Sequence, residues 1–243
     1  MNKILNLNRP VILFDLDGTL LPMNNDQFEY TYFKGLSEVI TDFAPQDLVK
    51  YIWTGTKAMM TNNGEKPNRD VFAETFISLT GMDYYSAEEV FTRFYKTKFL
   101  ECKDACPITD ISKKIVKTLQ DKGYTVAIAT NPIFPKVATY ARLDWIGLNP
   151  EDFPLVTTFE DSYHAKPNPD YYREVCERLS VSPQDCIMIG NDVVEDGCAA
   201  SLGMEVVLVG DCLLNKKNLP LDDLTVVSLQ EVYDWAVSLP VVR

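Results

Sequence analysis

The sequence has no long apolar run, and His164 is its single histidine. The apolar run at residues 11–14 is interrupted by Asp15, and no stretch approaches the roughly 20 apolar residues that a membrane-spanning helix needs. The same interruption removes the apolar centre of a secretory signal peptide. We therefore expect neither a transmembrane helix nor a signal peptide.

Paired cysteines are also missing, because the six cysteines are scattered and form no Cys-x-x-Cys motif. Cys102 and Cys106 would lie one helical turn apart, but no histidine or further cysteine nearby completes a zinc site. Disulfides are rare in the cytosol, so we expect reduced thiols in a cytoplasmic protein. The six positions are Cys102, Cys106, Cys176, Cys186, Cys198 and Cys212.

Basic side chains are outnumbered, since 35 acidic and 23 basic residues give a formal net charge of −12. This charge repels nucleic-acid polymers and anionic membrane surfaces, so we expect neither as a partner. A small anionic substrate stays possible, because a metal ion and one lysine can reverse the local potential. The 243 residues suffice for one or two domains with a buried core.

Short apolar runs alternate with amphipathic stretches in two parts of the chain, residues 10–21 and residues 106–243. Several runs are apolar at successive positions, which is typical of strands covered on both faces. This alternation predicts an α/β fold with a doubly wound, Rossmann-like parallel sheet. The predicted strands are 11–15, 124–130, 154–159, 186–190 and 205–210, and the predicted helices are about 109–122, 135–147, 168–180 and 193–203.

Residues 22–105 differ, because they contain 15 of the 27 aromatic residues and show helical spacing almost throughout. Pro45 suits the first turn of one helix, Asn68 could cap a second, and Ser86 with Glu89 forms a capping-box pattern for a third. We interpret 22–105 as an all-helical domain inserted into an α/β core formed by 1–21 and 106–243.

The strongest chemical signal is the DLDGT element at residues 15–19, directly after the first predicted strand. Residues two apart on an extended chain project to the same side, so Asp15 and Asp17 can share one site. Gly18 permits a sharp turn out of the strand. Two adjacent carboxylates repel each other, and a hard cation such as Mg²⁺ would satisfy both.

Three further polar elements follow later predicted strands. Thr130 and Asn131 follow the second strand, and Lys166 stands before Asn168 and Pro169, which suit the start of a helix. The third element is GNDVVED at 190–196, which supplies acids one turn apart. In an open parallel sheet the ends of such strands meet at one edge, so these elements should converge.

These elements in this order resemble the haloacid dehalogenase superfamily of aspartate-nucleophile phosphotransferases. The resemblance covers about residues 10–210, and the helical segment looks like the family's type-1 cap. It implies that Asp15 attacks phosphorus to form an aspartyl-phosphate, while Asp17 protonates the leaving oxygen and then activates water. Thr130 and the backbone of Asn131 would hold the phosphoryl oxygens, and Lys166 would balance the charge.

The resemblance further implies an Mg²⁺ ion held by Asp15, by the main-chain carbonyl of Asp17 and by an acid of the last element. This chain departs from the family pattern there, because Asn191 stands directly after the glycine and Asp192 follows. Either residue could contact the metal, and Asp196 matches a later acid that would orient a metal-bound water. The implied metal residues are therefore Asp15, Asp17, Asn191, Asp192 and Asp196.

The presence of Asp17 favours a phosphatase, since the dehalogenase branch of the family lacks this residue and the P-type ATPases carry threonine there. The predicted function is Mg²⁺-dependent hydrolysis of a small phosphorylated metabolite. A phosphomutase with the same residues and a non-catalytic phospho-ligand-binding member stay as alternatives. A signalling receiver domain fits less well, because its phosphoacceptor lies on the third strand.

Lys57, Lys66 and Arg69 are expected to be solvated rather than substrate-binding.

Overall fold

Five short parallel strands form the centre of the protein in a computed structural model that describes residues 9–242. Their order in the sheet is β2-β1-β3-β4-β5. Because β1 lies between β2 and β3, the point where the strand order reverses is at the carboxyl end of β1. The strands are β1 (Val11–Phe14), β2 (Thr125–Ile128), β3 (Cys186–Gly190), β4 (Glu205–Val209) and β5 (Thr225–Val227).

Both faces of the sheet are covered, which confirms the predicted doubly wound α/β class. Ile12 and Phe14 of β1 point into one apolar cluster, whereas Val11 and Leu13 point into the other. All four residues of β1 are buried, as a strand between two helical layers requires. Residues 9–242 form the α-helices α1 (Asn25–Val39), α2 (Pro45–Met60), α3 (Asn68–Thr80), α4 (Tyr84–Lys96), α5 (Ile111–Asp121), α6 (Lys136–Trp145), α7 (Pro169–Leu179) and α8 (Leu229–Ser238).

Helices α1 to α4 and a 3₁₀ helix at Lys98–Ala105 fill the interval between β1 and α5, and we call residues 25–105 the helical insert. Aromatic rings form its core: the Phe72 and Tyr84 ring centroids lie 5.4 Å apart, and those of Phe76 and Phe91 lie 5.6 Å apart. Both pairs meet edge to face, the arrangement that aromatic quadrupoles favour. The predicted helical character of this segment is confirmed.

The start of α3 attaches the helical insert to loops of the α/β part. The backbone N–H of Asn68 donates to the Ser162 carbonyl at 2.8 Å, and that of Arg69 donates to the Phe159 carbonyl at 2.9 Å. The Asn68 side-chain amide donates to the carbonyls of Pro132 and His164, each at 3.1 Å. Asn68 is therefore the first residue of α3 and a tether between the two parts, not the predicted capping residue.

Two predicted elements are wrong. Residues 154–159 form a single bridge between Val156 and Ile128 instead of a strand, because the N–H of Phe159 turns away to the carbonyl of Phe134. The fifth strand of the sheet is instead β5, at its edge. No strand is predicted there, and its TVV sequence is short and partly exposed. The predicted helix at 193–203 is a turn followed by a 3₁₀ helix at Gly197–Leu202.

Helix starts were predicted with mixed success. Pro45 occupies the first turn of α2, and Asn168 caps α7 by accepting from the N–H of Asp170, as expected. The Ser86 prediction is wrong, because α4 begins earlier and Asp83 is its capping residue. The Ser86 hydroxyl lies inside the helix and donates back to the Asp83 carboxylate at 2.5 Å. None of the helices within residues 9–242 is long and apolar enough to cross a membrane.

Candidate active site

The DLDGT element forms a tight turn at the carboxyl end of β1. The N–H of Asp15 still pairs with the Ile189 carbonyl of β3 at 2.9 Å, and the N–H of Leu21 closes the turn on the Leu16 carbonyl at 2.8 Å. Gly18 has a φ of +81°, and a Cβ there would lie 2.2 Å from the side-chain amide of Asn191. Glycine is therefore required for both the turn and the close approach of Asn191.

Lys166 is the buried cation at the centre of the site, with 1% of its surface exposed. Its Nζ donates to Asp15 Oδ1 at 2.9 Å and to Asp196 Oδ1 at 2.6 Å. Burial alone would lower the pKa of Lys166, but the attraction of the two carboxylates outweighs it and raises this pKa well above the usual range. Lys166 therefore carries a positive charge between the two acids.

Asp196 uses both of its carboxylate oxygens inside the protein. While Oδ1 accepts from Lys166, Oδ2 accepts from the backbone N–H groups of Asn191 and Asp192 at 2.8 and 2.9 Å. These bonds shape the loop after β3. They also account for the missing helix at 193–203, because the loop is anchored through Asp196 before regular helical bonding begins.

Asn131 links two of the predicted elements, since its Oδ1 accepts from the N–H of Lys166 at 3.2 Å. Its amide nitrogen donates to Glu195 Oε2 at 2.9 Å. Burial raises the pKa of Glu195 to about 7. Thr130 is buried beside them, and its carbonyl accepts hydrogen bonds from the hydroxyls of Thr157 and Tyr171 at 2.7 and 2.8 Å. The backbone at residues 130–131 is thus held firmly at the edge of the sheet.

Asp17 faces a cation of its own, Arg142 on α6, which sequence reasoning missed. The fully buried Arg142 guanidinium donates to Asp17 Oδ2 and also to the Ala138 carbonyl and the Thr139 hydroxyl, both at 3.3 Å. It lies over the Phe134 ring, 4.4 Å from the centroid. Asp17 Oδ1 is buried and has no hydrogen-bond partner within residues 9–242.

Asp15 Oδ2 and Asn191 Oδ1 converge near Thr19. Its hydroxyl lies 3.4 Å from Asp15 Oδ2 and 3.3 Å from Asn191 Oδ1. The orientation of Asn191 follows from its hydrogen bonds, because its amide nitrogen donates to the Cys212 carbonyl at 2.8 Å and leaves the oxygen facing the site. One oxygen of Asp192 is engaged locally, since its Oδ1 accepts from the backbone N–H groups of Val194 and Glu195.

Burial raises the pKa of Asp15 to about 7, although the Lys166 charge lowers it, and Asp196 and Asp17 add to the rise. A further cation on the Thr19 side would favour the ionised form. The donor set there is a carboxylate and an amide oxygen, which suits a hard cation such as Mg²⁺. Within residues 9–242, no three His, Cys, Asp or Glu side chains cluster as a metal site. Any ion here would therefore depend on amide and main-chain oxygens as well.

Gly190 at the end of β3 provides a test of this arrangement. A Cβ at Gly190 would lie 2.1 Å from the Asp196 carboxylate, so Gly190→Ala should displace Asp196 and lower the free energy of unfolding by about 1–3 kcal/mol. Gly197→Ala is the matched control, because nothing lies within 4 Å of its Cβ position. Urea unfolding of both variants checks this, and equal stabilities would contradict the proposed constraint on Asp196.

Comparison with known proteins identifies the family. Residues 10–202 match the model of the haloacid dehalogenase-like hydrolases. The chain is 26% identical over 210 residues to a phosphoglycolate phosphatase of Aquifex aeolicus, covering 85% of this chain and 88% of the relative. It is 25% identical over 188 residues to the pyrophosphatase PpaX of Anoxybacillus flavithermus, covering 76% of each.

Solved structures show the same fold. The HAD-hydrolase YfnB of Bacillus subtilis, bound to magnesium, superposes with a TM-score of 0.60 at 20% identity, covering 94% of this chain and 99% of the other. CbbY of Rhodobacter sphaeroides, in complex with phosphate, gives 0.59 at 16% identity, covering 92% and 96%. At these identities the likeness establishes the fold alone. Since the family model spans most of the sequence, the chain belongs to the haloacid dehalogenase-like hydrolases.

Proposed function

We propose that this haloacid dehalogenase-family phosphatase hydrolyses a small phosphomonoester through an aspartyl-phosphate on Asp15, with Mg²⁺ as its cofactor. The observation that carries the proposal is the unequal use of the Asp15 oxygens. Oδ1 is held by Lys166 at 2.9 Å, whereas within residues 9–242 the hydrogen-bond partner of Oδ2 is the Thr19 hydroxyl at 3.4 Å. One oxygen is therefore fixed while the other is available as a nucleophile.

In the first half-reaction Asp15 Oδ2 forms a bond to phosphorus, and the bond from phosphorus to the leaving oxygen breaks. Asp17 supplies the proton that the leaving oxygen takes up. In the second half-reaction water attacks the phosphorus of the aspartyl-phosphate and gives a proton to Asp17, and the Asp15 carboxylate is released. This is covalent catalysis with one acid that then acts as a base.

Lys166 and the 130–131 backbone stabilise the phosphoryl group in this proposal. The Lys166 ammonium lies beside Asp15, and its charge would balance that of the transferring phosphoryl group. We propose that the Thr130 hydroxyl and the N–H of Asn131 donate to the phosphoryl oxygens, from a backbone that is held by bonds to the Thr130 carbonyl and to Asn131 Oδ1. Donors held in place before the reaction need no reorganisation when charge develops.

The Asp15 carboxylate, the Asp17 main-chain carbonyl and Asn191 Oδ1 are the groups that would hold Mg²⁺. The ion would neutralise charge in the crowded anionic site and stabilise the phosphoryl oxygens. Asp192 and Asp196 were predicted as further metal residues, but their carboxylates are bonded to backbone N–H groups. We therefore propose Asn191 as the residue of the last element that contacts the ion, and Asp196 as the residue that positions Lys166.

Arg142 is proposed as a positioning residue for Asp17. Because the guanidinium is fixed by Ala138, Thr139 and the Phe134 ring, it holds Asp17 Oδ2, while Oδ1 has no partner within residues 9–242. The helical insert, which belongs to the proposed domain 22–105, serves as a cap over this side of Asp17. Closing a reaction site in this way excludes water and strengthens the electrostatic interactions inside it.

The nucleophile assignment is tested by Asp15→Asn. Because the amide cannot form the phosphoenzyme, release of inorganic phosphate from p-nitrophenyl phosphate with Mg²⁺ should fall at least about 10³-fold. Asp144→Asn, on the exposed side of α6, is the control and should retain wild-type turnover. Turnover of Asp15→Asn within tenfold of wild type would contradict the proposal. Consumption of ester without phosphate release would indicate a mutase, and binding without turnover would indicate a phospho-ligand-binding protein.

The choice between Asn191 and Asp192 is tested by a pair of substitutions. Asn191→Leu removes the amide oxygen, so the Mg²⁺ concentration for half-maximal phosphate release should rise about tenfold or more. Asp192→Asn keeps the oxygen that caps Val194 and Glu195 but removes the charge, and should shift this concentration less than about twofold. Calorimetric titration with Mg²⁺ gives the same comparison without turnover. The opposite order of effects would assign the contact to Asp192.

A further inference from the structure

A cavity of about 260 Å³ lies between the helical insert and the α/β part, and Asp17 is one of its walls. Its interior is formed mainly by buried rings from both parts, among them Phe28, Tyr32, Phe72, Tyr84 and Phe159. An apolar cavity of roughly 150 Å³ is large enough to hold benzene. This cavity therefore has room for an apolar group of at least that size next to the proposed acid.

The polar atoms of the cavity are largely satisfied within the protein. The Tyr32 and Tyr95 hydroxyls bond to each other at 2.9 Å, and the Thr56 hydroxyl donates to the Ile52 carbonyl at 2.9 Å. Burial raises the pKa of Tyr32 to about 12, so this phenol stays neutral near neutral pH. The interior thus offers apolar ring surface rather than charge.

Apart from the exposed Lys216, the cations nearest the cavity that could receive a second anionic group of a substrate are engaged or distant. Lys66 pairs with Glu74 at 2.5 Å, Arg69 pairs with Glu88 at 2.7 Å, and neither lines the cavity. Arg142 is held by Asp17. Of the described residues that line the cavity, Lys216 is the one basic residue, and it is exposed.

Acidic side chains line the same cavity, namely Asp17 and the exposed Glu29. An anionic leaving group, such as glycolate or phosphate, would enter an apolar space beside a carboxylate with no free buried cation. Burial of an unpaired charge is strongly unfavourable, whereas burial of apolar surface is favourable. The lining therefore selects against a second negative charge and for a hydrocarbon group.

We propose that this cavity binds the leaving group of the substrate and that this group is apolar, an alkyl or aryl alcohol carrying one phosphate. The assignment rests on the proposed function, which places the phosphoryl group at Asp15 and the leaving oxygen at Asp17. Because Asp17 lines this cavity, the cavity lies next to the position proposed for the leaving oxygen. The substrate class is thus a phosphomonoester of an apolar alcohol.

A homologous series of n-alkyl phosphates, from ethyl to pentyl, tests the assignment on the full chain with Mg²⁺. The basicity of the leaving alkoxide is nearly constant along the series, so the change in kcat/KM reports contact with the cavity. We expect kcat/KM to rise about threefold to fourfold per added methylene and to exceed that of 2-phosphoglycolate by about tenfold or more for pentyl phosphate. A flat or falling series, or a preference for 2-phosphoglycolate, would overturn it.

Trp53, which is 48% exposed and lines the cavity, offers a substitution with little risk to folding. Trp53→Ala should lower kcat/KM for pentyl phosphate threefold or more and leave ethyl phosphate within twofold. Tyr30→Ala is the control, because Tyr30 is 70% exposed and is not among the residues that line this cavity. Equal effects of Trp53→Ala on both esters would count against the cavity as the leaving-group site.

Calorimetric binding separates this assignment from the phosphatase proposal, because it needs no turnover. Butylphosphonate should bind the wild-type protein with Mg²⁺ about tenfold more tightly than phosphonoacetate, which carries a carboxylate. Equal or tighter binding of phosphonoacetate would overturn the apolar assignment whatever the turnover. Tighter binding of butylphosphonate without hydrolysis of any ester would support the cavity and contradict the proposed function.

Discussion

The buried ammonium of Lys166 is the constraint on which the site depends. It lies between Asp15 on the loop after β1 and Asp196 on the loop after β3, and its own backbone is held by Asn131 after β2. Removing one partner of a buried ion pair costs about 3–5 kcal/mol, because the other charge stays unpaired. One cation thus fixes the relative positions of three strand ends and of the nucleophile.

Asp15 and Asp17 are two residues apart, but their carboxylates have different surroundings. Asp15 is paired with a lysine and faces the oxygens near Thr19, whereas Asp17 is paired with Arg142 and faces the apolar cavity. The planar guanidinium holds Asp17 in one orientation, which a flexible ammonium would do less well. In the proposed mechanism this separation gives the phosphoryl group and the leaving group distinct environments.

The sequence predicts those parts of the structure that are marked by a pattern of neighbouring residues. The parallel sheet followed from successive apolar residues, Asp15 from its place directly after the first predicted strand, and Lys166 from its place before the helix start at Asn168 and Pro169. Arg142 gave no such signal, because a lone arginine on an amphipathic helix is usually solvated, and only the packing of α6 brings it to Asp17. Residues 154–159 have the composition of a strand, but tertiary hydrogen bonds divert their backbone.

Whether Asp15 is the nucleophile is tested most directly by detecting a phosphoryl group on its side chain. The Asp17→Asn variant can be mixed with p-nitrophenyl phosphate and Mg²⁺, quenched rapidly in acid, and analysed by peptide mass spectrometry. Nitrophenolate leaves without a proton, so the first step should proceed while the second lacks its base. We expect a phosphoryl group to accumulate on Asp15 of this variant. Phosphate release by the wild type with no phosphoryl group on Asp15 in either protein would contradict the assignment of Asp15 as the nucleophile.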